Sequence, residues 1–169
     1  MSKKISDVVS FRNDLFFGGA ASISWFETDP KKSAVAATNF VFHGPEYHGV
    51  SSEESEINQD YPIIDTASFT FEILKTFENG NSSSVTISLA IAGHDSGKSH
   101  LALTLACLLS QPTSALTQNI IKNLSTASKT IGFDVQRILG KWSKPFLIIA
   151  INGMQNFDLA NEISRQALL

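Results

Sequence analysis

Apolar and polar positions alternate with two different periods along this chain, and the change of period marks its elements. From Pro30 the apolar residues Ala34, Val35, Ala37, Val41 and Phe42 recur at near-helical spacing. Asp29-Pro30 supplies an N-cap and a first-turn proline, so a helix is predicted over 30–42. A second helix is predicted after Asp65, with Phe69, Ile73, Leu74 and Phe77 as its buried stripe and the turn-forming run Asn79-Gly80-Asn81-Ser82-Ser83-Ser84 as its end. The period then shortens to two. Val85, Ile87, Leu89 and Ile91 alternate with the small residues Thr86, Ser88 and Ala90, which predicts a central strand packed on both faces. The run HLALTLACLL predicts an apolar helix, stopped by Gln111-Pro112. Residues 115–139 supply one broken or two short helices, with Ile120, Ile121, Leu124, Ile131, Val135, Ile138 and Leu139 as core candidates and Gly132 marking the break. Phe146 to Ile151 reads as a second buried parallel strand ending in Asn152-Gly153, and a last helix is predicted from near Asn156 through Ile163 to the chain end.

The remaining segments are connectors or aromatic clusters. Residues 1–28 gather Phe11, Phe16, Phe17, Trp25 and Phe26 around Gly18-Gly19, a density expected of a core or a docking face, with core packing preferred. The turn-rich stretch from His43 to Gly49 holds His43, Glu46 and His48, too few ligands for a metal site, and reads as an ordered loop. Residues 51–61 are polar and acidic and read as a solvated linker. The expected organisation is an N-terminal helical and loop region over 1–62 packing on a nucleotide-binding domain over 63–169.

The chemistry concentrates where the first strand meets the apolar helix. Ala92-x-x-x-x-Gly97-Lys98-Ser99 satisfies the phosphate-loop pattern with Ala in place of its first Gly, and the strand-then-helix context is the one that pattern requires. A nucleoside triphosphate is a dense anion, and backbone N–H groups at the positive end of a helix dipole are a ready receptor for it. Gly93, His94, Asp95, Ser96 and Gly97 would form that cradle, the two glycines relieving crowding and allowing a positive φ. Lys98 would reach the β and γ phosphates, and the Ser99 hydroxyl would complete the shell of a bridging Mg²⁺. His100 either begins the buried side of the helix or touches the α phosphate. The expected ligand is therefore Mg²⁺ with ATP. No [NT]KxD-like guanine-reading segment is visible.

Composition narrows this picture without redirecting it. The 169 residues are 43% hydrophobic, ordinary for one globular domain. A net charge of −3 with scattered Lys and Arg gives no basic footprint for nucleic acid. Cys107 is the only cysteine, so no intrachain disulfide can form, and its place among Leu105, Leu108 and Leu109 favours a buried apolar role. Lys3-Lys4 is followed by Ile5-Ser6-Asp7 and not by an apolar leader core, and no apolar run approaches the length of a membrane span, so a cytoplasmic location without membrane association is expected.

A hydrolysing enzyme of this type also needs an acid at the tip of a second strand. Here the later strand ends in Asn152, and the nearest carboxylates, Asp158 and Glu162, fall on the predicted last helix. Only one further strand follows the loop, against the roughly five or six strands of a typical sheet. The expected fold class is α/β, a partial P-loop NTPase fold of parallel strands flanked by helices, preceded by an aromatic-rich and mainly helical region. Either a piece of a larger ATPase or a protein that borrows strands from a partner is expected.

The segments DLFFGGAASISWFETDP, FVFHGPEYHG, LAIAGHDSGKSHLALTLACLLS and PFLIIAINGMQNFDLANEISRQAL together resemble the N-terminal region of large bacterial P-loop ATPases, some associated with phage-defence gene clusters of the BREX kind. The resemblance implies ATP as the nucleotide, and a metal-binding acid and any arginine finger located outside this sequence. Two functions follow as expectations: an ATP-binding module whose hydrolysis is completed by other residues, or a non-catalytic interaction domain that retains the loop.

Overall fold

The computed structural model describes residues 4–5, 20–46, 64–78, 87–91, 97–142, 144–151, 153 and 157–168. Its central element is the apolar helix after the loop, here α4 (Lys98–Ser110). Leu101 and every residue from Leu103 to Leu109 are buried, so α4 is covered on nearly all sides. A helix that is apolar all round belongs inside a protein, where each fully buried leucine contributes about 1.5–3 kcal/mol. The other helices, in chain order, are α1 (Trp25–Thr28), α2 (Pro30–Thr38), α3 (Thr66–Glu78), α5 (Ala115–Ala127), α6 (Lys129–Leu139) and α7 (Leu159–Ala167). Helices α1, α2 and α5 pack on α4, while α6 packs on α5 and α3 packs on α6.

Local signals set most helix starts as expected. Asp29 caps α2 by accepting from the Lys32 N–H at 3.0 Å, with Pro30 in the first turn. Asp65 caps α3 by accepting from the Ser68 N–H at 2.8 Å. That helix is tied to the preceding segment through His43, whose N–H donates to Thr66 Oγ1 at 2.8 Å and whose carbonyl accepts from the Ala67 N–H at 3.0 Å. Ala67, Thr70 and Leu74 are buried, Phe69 and Ile73 pack on the core, and Phe77 reaches the Phe146 ring at 5.2 Å.

Two boundaries differ from expectation. Helix α2 ends at Thr38 instead of 42, because Phe40 and Phe42 are buried and Val41 between them is 70% exposed. That is a period of two, which an extended chain satisfies and a helix cannot. The break in 115–139 lies at Ser128, not Gly132. Ser128 is extended (φ −155°, ψ 115°), and its hydroxyl accepts from the Ile131 N–H to cap α6. Gly132 sits within α6, where a side chain would strike Ser125 of α5, so its role is close helix packing.

The expected α/β architecture is overturned, since the described residues contain helices and no strand or sheet. Period-two patterning reports an extended backbone, but a strand exists only if its N–H and C=O groups find a ladder partner. The described part of the first predicted strand, residues 87–91, forms neither strand nor helix, and Ile87, Leu89 and Ile91 are 87%, 77% and 74% exposed. The second predicted strand likewise forms no ladder and is held by other groups. The Phe146 N–H donates to the Leu109 carbonyl at 3.0 Å. The Gln166 amide makes both bonds that a neighbouring strand would make to residue 150, accepting from the Ala150 N–H at 2.8 Å and donating to the Ala150 carbonyl at 2.9 Å. A buried side-chain amide on α7 thus replaces one rung of a ladder. Phe146 and Ile148 pack on the core while Leu147 faces out.

The start of α7 also shifts. It begins at Leu159, with Asp158 as N-cap accepting from the Asn161 N–H at 2.8 Å. Arg165 of α7 pairs with Glu162 and reaches across to Glu27 of α1, joining the first and last of the described helices. No helix among the described residues is long and apolar enough to cross a membrane.

Candidate phosphate-binding site

Of the residues expected to hold nucleotide, Gly97, Lys98, Ser99 and His100 are described, and Gly93, His94, Asp95 and Ser96 lie outside the described residues. Gly97 adopts the left-handed conformation (φ 85°, ψ 8°) and is the N-cap of α4. A Cβ built on Gly97 meets nothing within 4 Å, so glycine is required there by the backbone angle and not by a neighbouring group. Its carbonyl accepts the first bond of the helix, from the Leu101 N–H at 2.9 Å.

The start of α4 differs from those of α2, α3, α5, α6 and α7 in how its N–H groups are treated, while the four-residue α1 likewise has no side-chain cap. Asp29, Asp65, Ser114, Ser128 and Asp158 each place a side-chain oxygen on the first turn that follows. Gly97 has no side chain to do so, and among the described residues no side chain caps α4. The first-turn N–H groups of a helix have no intrahelical acceptor, and the helix dipole adds positive potential there. Lys98 is half-buried in that turn and Ser99 is exposed. The arrangement offers backbone donors, an ammonium group and a hydroxyl at one helix end, which suits an oxyanion and a cation bound to it. Ser99 is the residue whose oxygen could join a Mg²⁺ shell, in which phosphate oxygens and water supply the other ligands.

His100 takes the first of its two expected roles. Its Nε2 lies 2.7 Å from the Ala36 carbonyl of α2, and its ring meets Phe40 edge-on at 5.0 Å. The ring therefore faces the protein interior. A carbonyl can only accept, so Nε2 carries the proton.

Both late carboxylates are engaged within or next to α7. Asp158 is engaged as the α7 N-cap. Glu162 is engaged by Arg165 and Gln166, and the Arg165 hydrogen bond, with Gln166 second, lowers its carboxyl from 4.5 to about 2. Glu27 is lowered as well, chiefly by its hydrogen bond from Arg165. Cys107 is buried within α4 with its sulfur 3.5 Å from Ser33 Oγ, and burial raises its thiol above the ordinary value. It is thus an apolar packing group. Among the described residues no cluster of three or more His, Cys, Asp or Glu could hold a metal by itself.

Surface clefts lie at other places. One is bounded by Phe40, Phe42, Asn123 and Ala127, a second by Glu46, Lys122, Ser128 and Lys129, and a third by Gln111, Trp142 and Pro145. None of these three is lined by Gly97 to His100. The partners of His100 were not readable from sequence, because Ala36 lies 64 positions away and acts through its backbone. Comparison with protein-family models, with curated proteins and with solved structures finds no match for this chain.

Proposed function

We propose that the protein binds the phosphates of a Mg-nucleotide at the start of α4. The observation that carries this reading is Gly97 in the left-handed conformation, capping α4 without a side chain and followed at once by Lys98 and Ser99. First-turn N–H groups hold the phosphate oxygens, Lys98 neutralises charge on the β and γ phosphates, and the Ser99 hydroxyl joins the Mg²⁺ shell. The site works on a helical scaffold, since α4 is positioned by α2 and α5. ATP as the nucleotide and a kinship with large bacterial ATPases are proposed from the sequence resemblance alone, and a cytoplasmic location from the apolar pattern of the sequence. Binding and not turnover is the proposed activity, with any hydrolysis completed by groups that another protein supplies.

Titration with a fluorescent ATP analogue tests the reading. Saturable Mg²⁺-dependent binding that Lys98→Ala weakens is expected. Absence of binding to the folded protein, or equal binding by Lys98→Ala, defeats it.

A second reading, an interaction domain that retains the loop without using it, is favoured by the exposed alternation Ile87, Leu89 and Ile91. Self-association or partner binding that Leu89→Lys abolishes, in a protein that ignores nucleotide, would support this alternative.

A further inference from the structure

We propose that His100 is a positioning residue that couples occupancy of the phosphate site to the docking of α2. The inference rests on the phosphate reading above and names a regulation of that same site. His100 stands in the first turn of α4, two residues beyond Lys98 and three beyond Gly97. Its ring leaves that turn and donates from Nε2 to the Ala36 carbonyl at 2.7 Å, in the last turn of α2. One side chain therefore links the positive end of α4 to the carbonyl end of α2, where an N–H donor also complements the helix dipole. The edge-on contact with Phe40, a buried residue just past the end of α2, fixes the ring plane.

Helix α2 packs on α4, α5 and α1 through small side chains. The buried residues of its nine are Ser33, Ala36 and Ala37, all small, and its polar ties besides His100 include the Ser33 to Cys107 contact at 3.5 Å and the bond that Asn123 Nδ2 of α5 donates to the Thr38 carbonyl at 2.6 Å. Small side chains bury little apolar area, so the His100 bond, among the described residues one of two side-chain bonds from other helices to carbonyls in the last turn of α2, contributes to its docking. Helices held by few apolar contacts open at low free energy. Phosphate held by the N–H groups of Ser99 and His100 fixes the backbone from which the ring projects, and so holds the donor on Ala36. By linkage, docked α2 then favours the phosphate-binding form of the turn by the same factor.

The test uses the full chain as wild type, His100→Ala and His100→Gln, with fluorescent-ATP titration and amide exchange over 30–40, each with and without Mg-ATP. Mg-ATP is expected to slow exchange over 30–40 in the wild type. His100→Ala should raise the Kd about three- to tenfold, the equivalent of one lost hydrogen bond, and remove that protection. His100→Gln, whose amide can donate to the same carbonyl, should restore most of both. The coupling is overturned if the wild type binds Mg-ATP with no change in exchange over 30–40, a result that needs no variant. It is equally overturned if His100→Ala retains both the wild-type Kd and the protection. A wild type that binds no nucleotide in either assay removes the phosphate reading itself, and the coupling with it.

Discussion

Gly132→Ala adds one methyl group where α5 and α6 pack most closely. A Cβ at that position would lie 2.1 Å from Ser125 Oγ, 2.8 Å from Ser125 Cα and 2.9 Å from Ser125 Cβ. The hydroxyl can rotate away, but Cα and Cβ cannot move without shifting α5. Around this contact Ile120, Ile121, Leu124, Val135, Ile138 and Leu139 are all buried, so separating the helices loosens their packing too. Overpacking of this kind costs about 1–3 kcal/mol. Against it stands the better helix propensity of alanine, worth about 1 kcal/mol. Because the clash includes Ser125 Cα and Cβ, which only a shift of α5 relieves, the cost falls in the upper part of the overpacking range, about 2–3 kcal/mol, and a net destabilisation of about 1–2 kcal/mol is expected. For a protein of this size that lowers Tm by roughly 2–4 °C per kcal/mol. Urea unfolding followed by circular dichroism measures it, on wild type, Gly132→Ala, Ser125→Ala and the double variant. Because Ser125→Ala removes only Oγ, Gly132→Ala should remain destabilising in that background. A Gly132→Ala protein as stable as wild type, or more stable, would refute the close approach, since propensity alone would then be acting.

Two further outcomes follow from the described geometry. Cys107 should resist thiol reagents in the native protein at neutral pH and react fully in denaturant, because burial disfavours its thiolate; fast native labelling at the same pH would contradict its placement in the core. The Glu27, Glu162 and Arg165 cluster should loosen only in acid. Glu162 has its folded value lowered from 4.5 to about 2, so its contribution is complete above about pH 4.5 and is lost as pH falls toward 2. The Arg165 side-chain Nε–H signal, followed by NMR in the folded protein, should hold its position from pH 7 through 4.5 and move only as the pH falls toward about 2. Since these groups are exposed, the effect on global stability is small. A transition centred on the ordinary carboxylate value would show that the pairing is absent.

Much of the helical layout was legible because its signals are local. Asp29-Pro30 and Asp65 each act within one turn, and the apolar run after the loop could only be a buried helix. Of the core candidates, Ile120, Ile121, Leu124, Val135, Ile138 and Leu139 are buried, and Ile131 is half-buried against them. What sequence could not supply was long-range pairing. Ile87, Leu89 and Ile91 have the period of a strand, but a period carries no information about a ladder partner. Likewise, nothing near Phe146 to Ile151 announces that Gln166 will provide two of its hydrogen bonds. Gly132 was misread for a related reason. A glycine inside a helical pattern signals either a break or a close crossing, and the choice depends on Ser125 of the neighbouring helix. At the site itself, the need for a positive φ at Gly97 was readable from the motif, whereas the turn of His100 toward Ala36 was not.

The central claim is that the backbone at the start of α4 holds a phosphate, and amide NMR of Gly97, Lys98, Ser99 and His100 during titration with Mg-ATP tests it most directly. Saturable shifts of these amides, larger than elsewhere in α4 and weakened by Lys98→Ala, are predicted. Signals in this turn that stay fixed while the protein remains folded, or that move no more than those of Leu108 or Leu109 in the core, would contradict it.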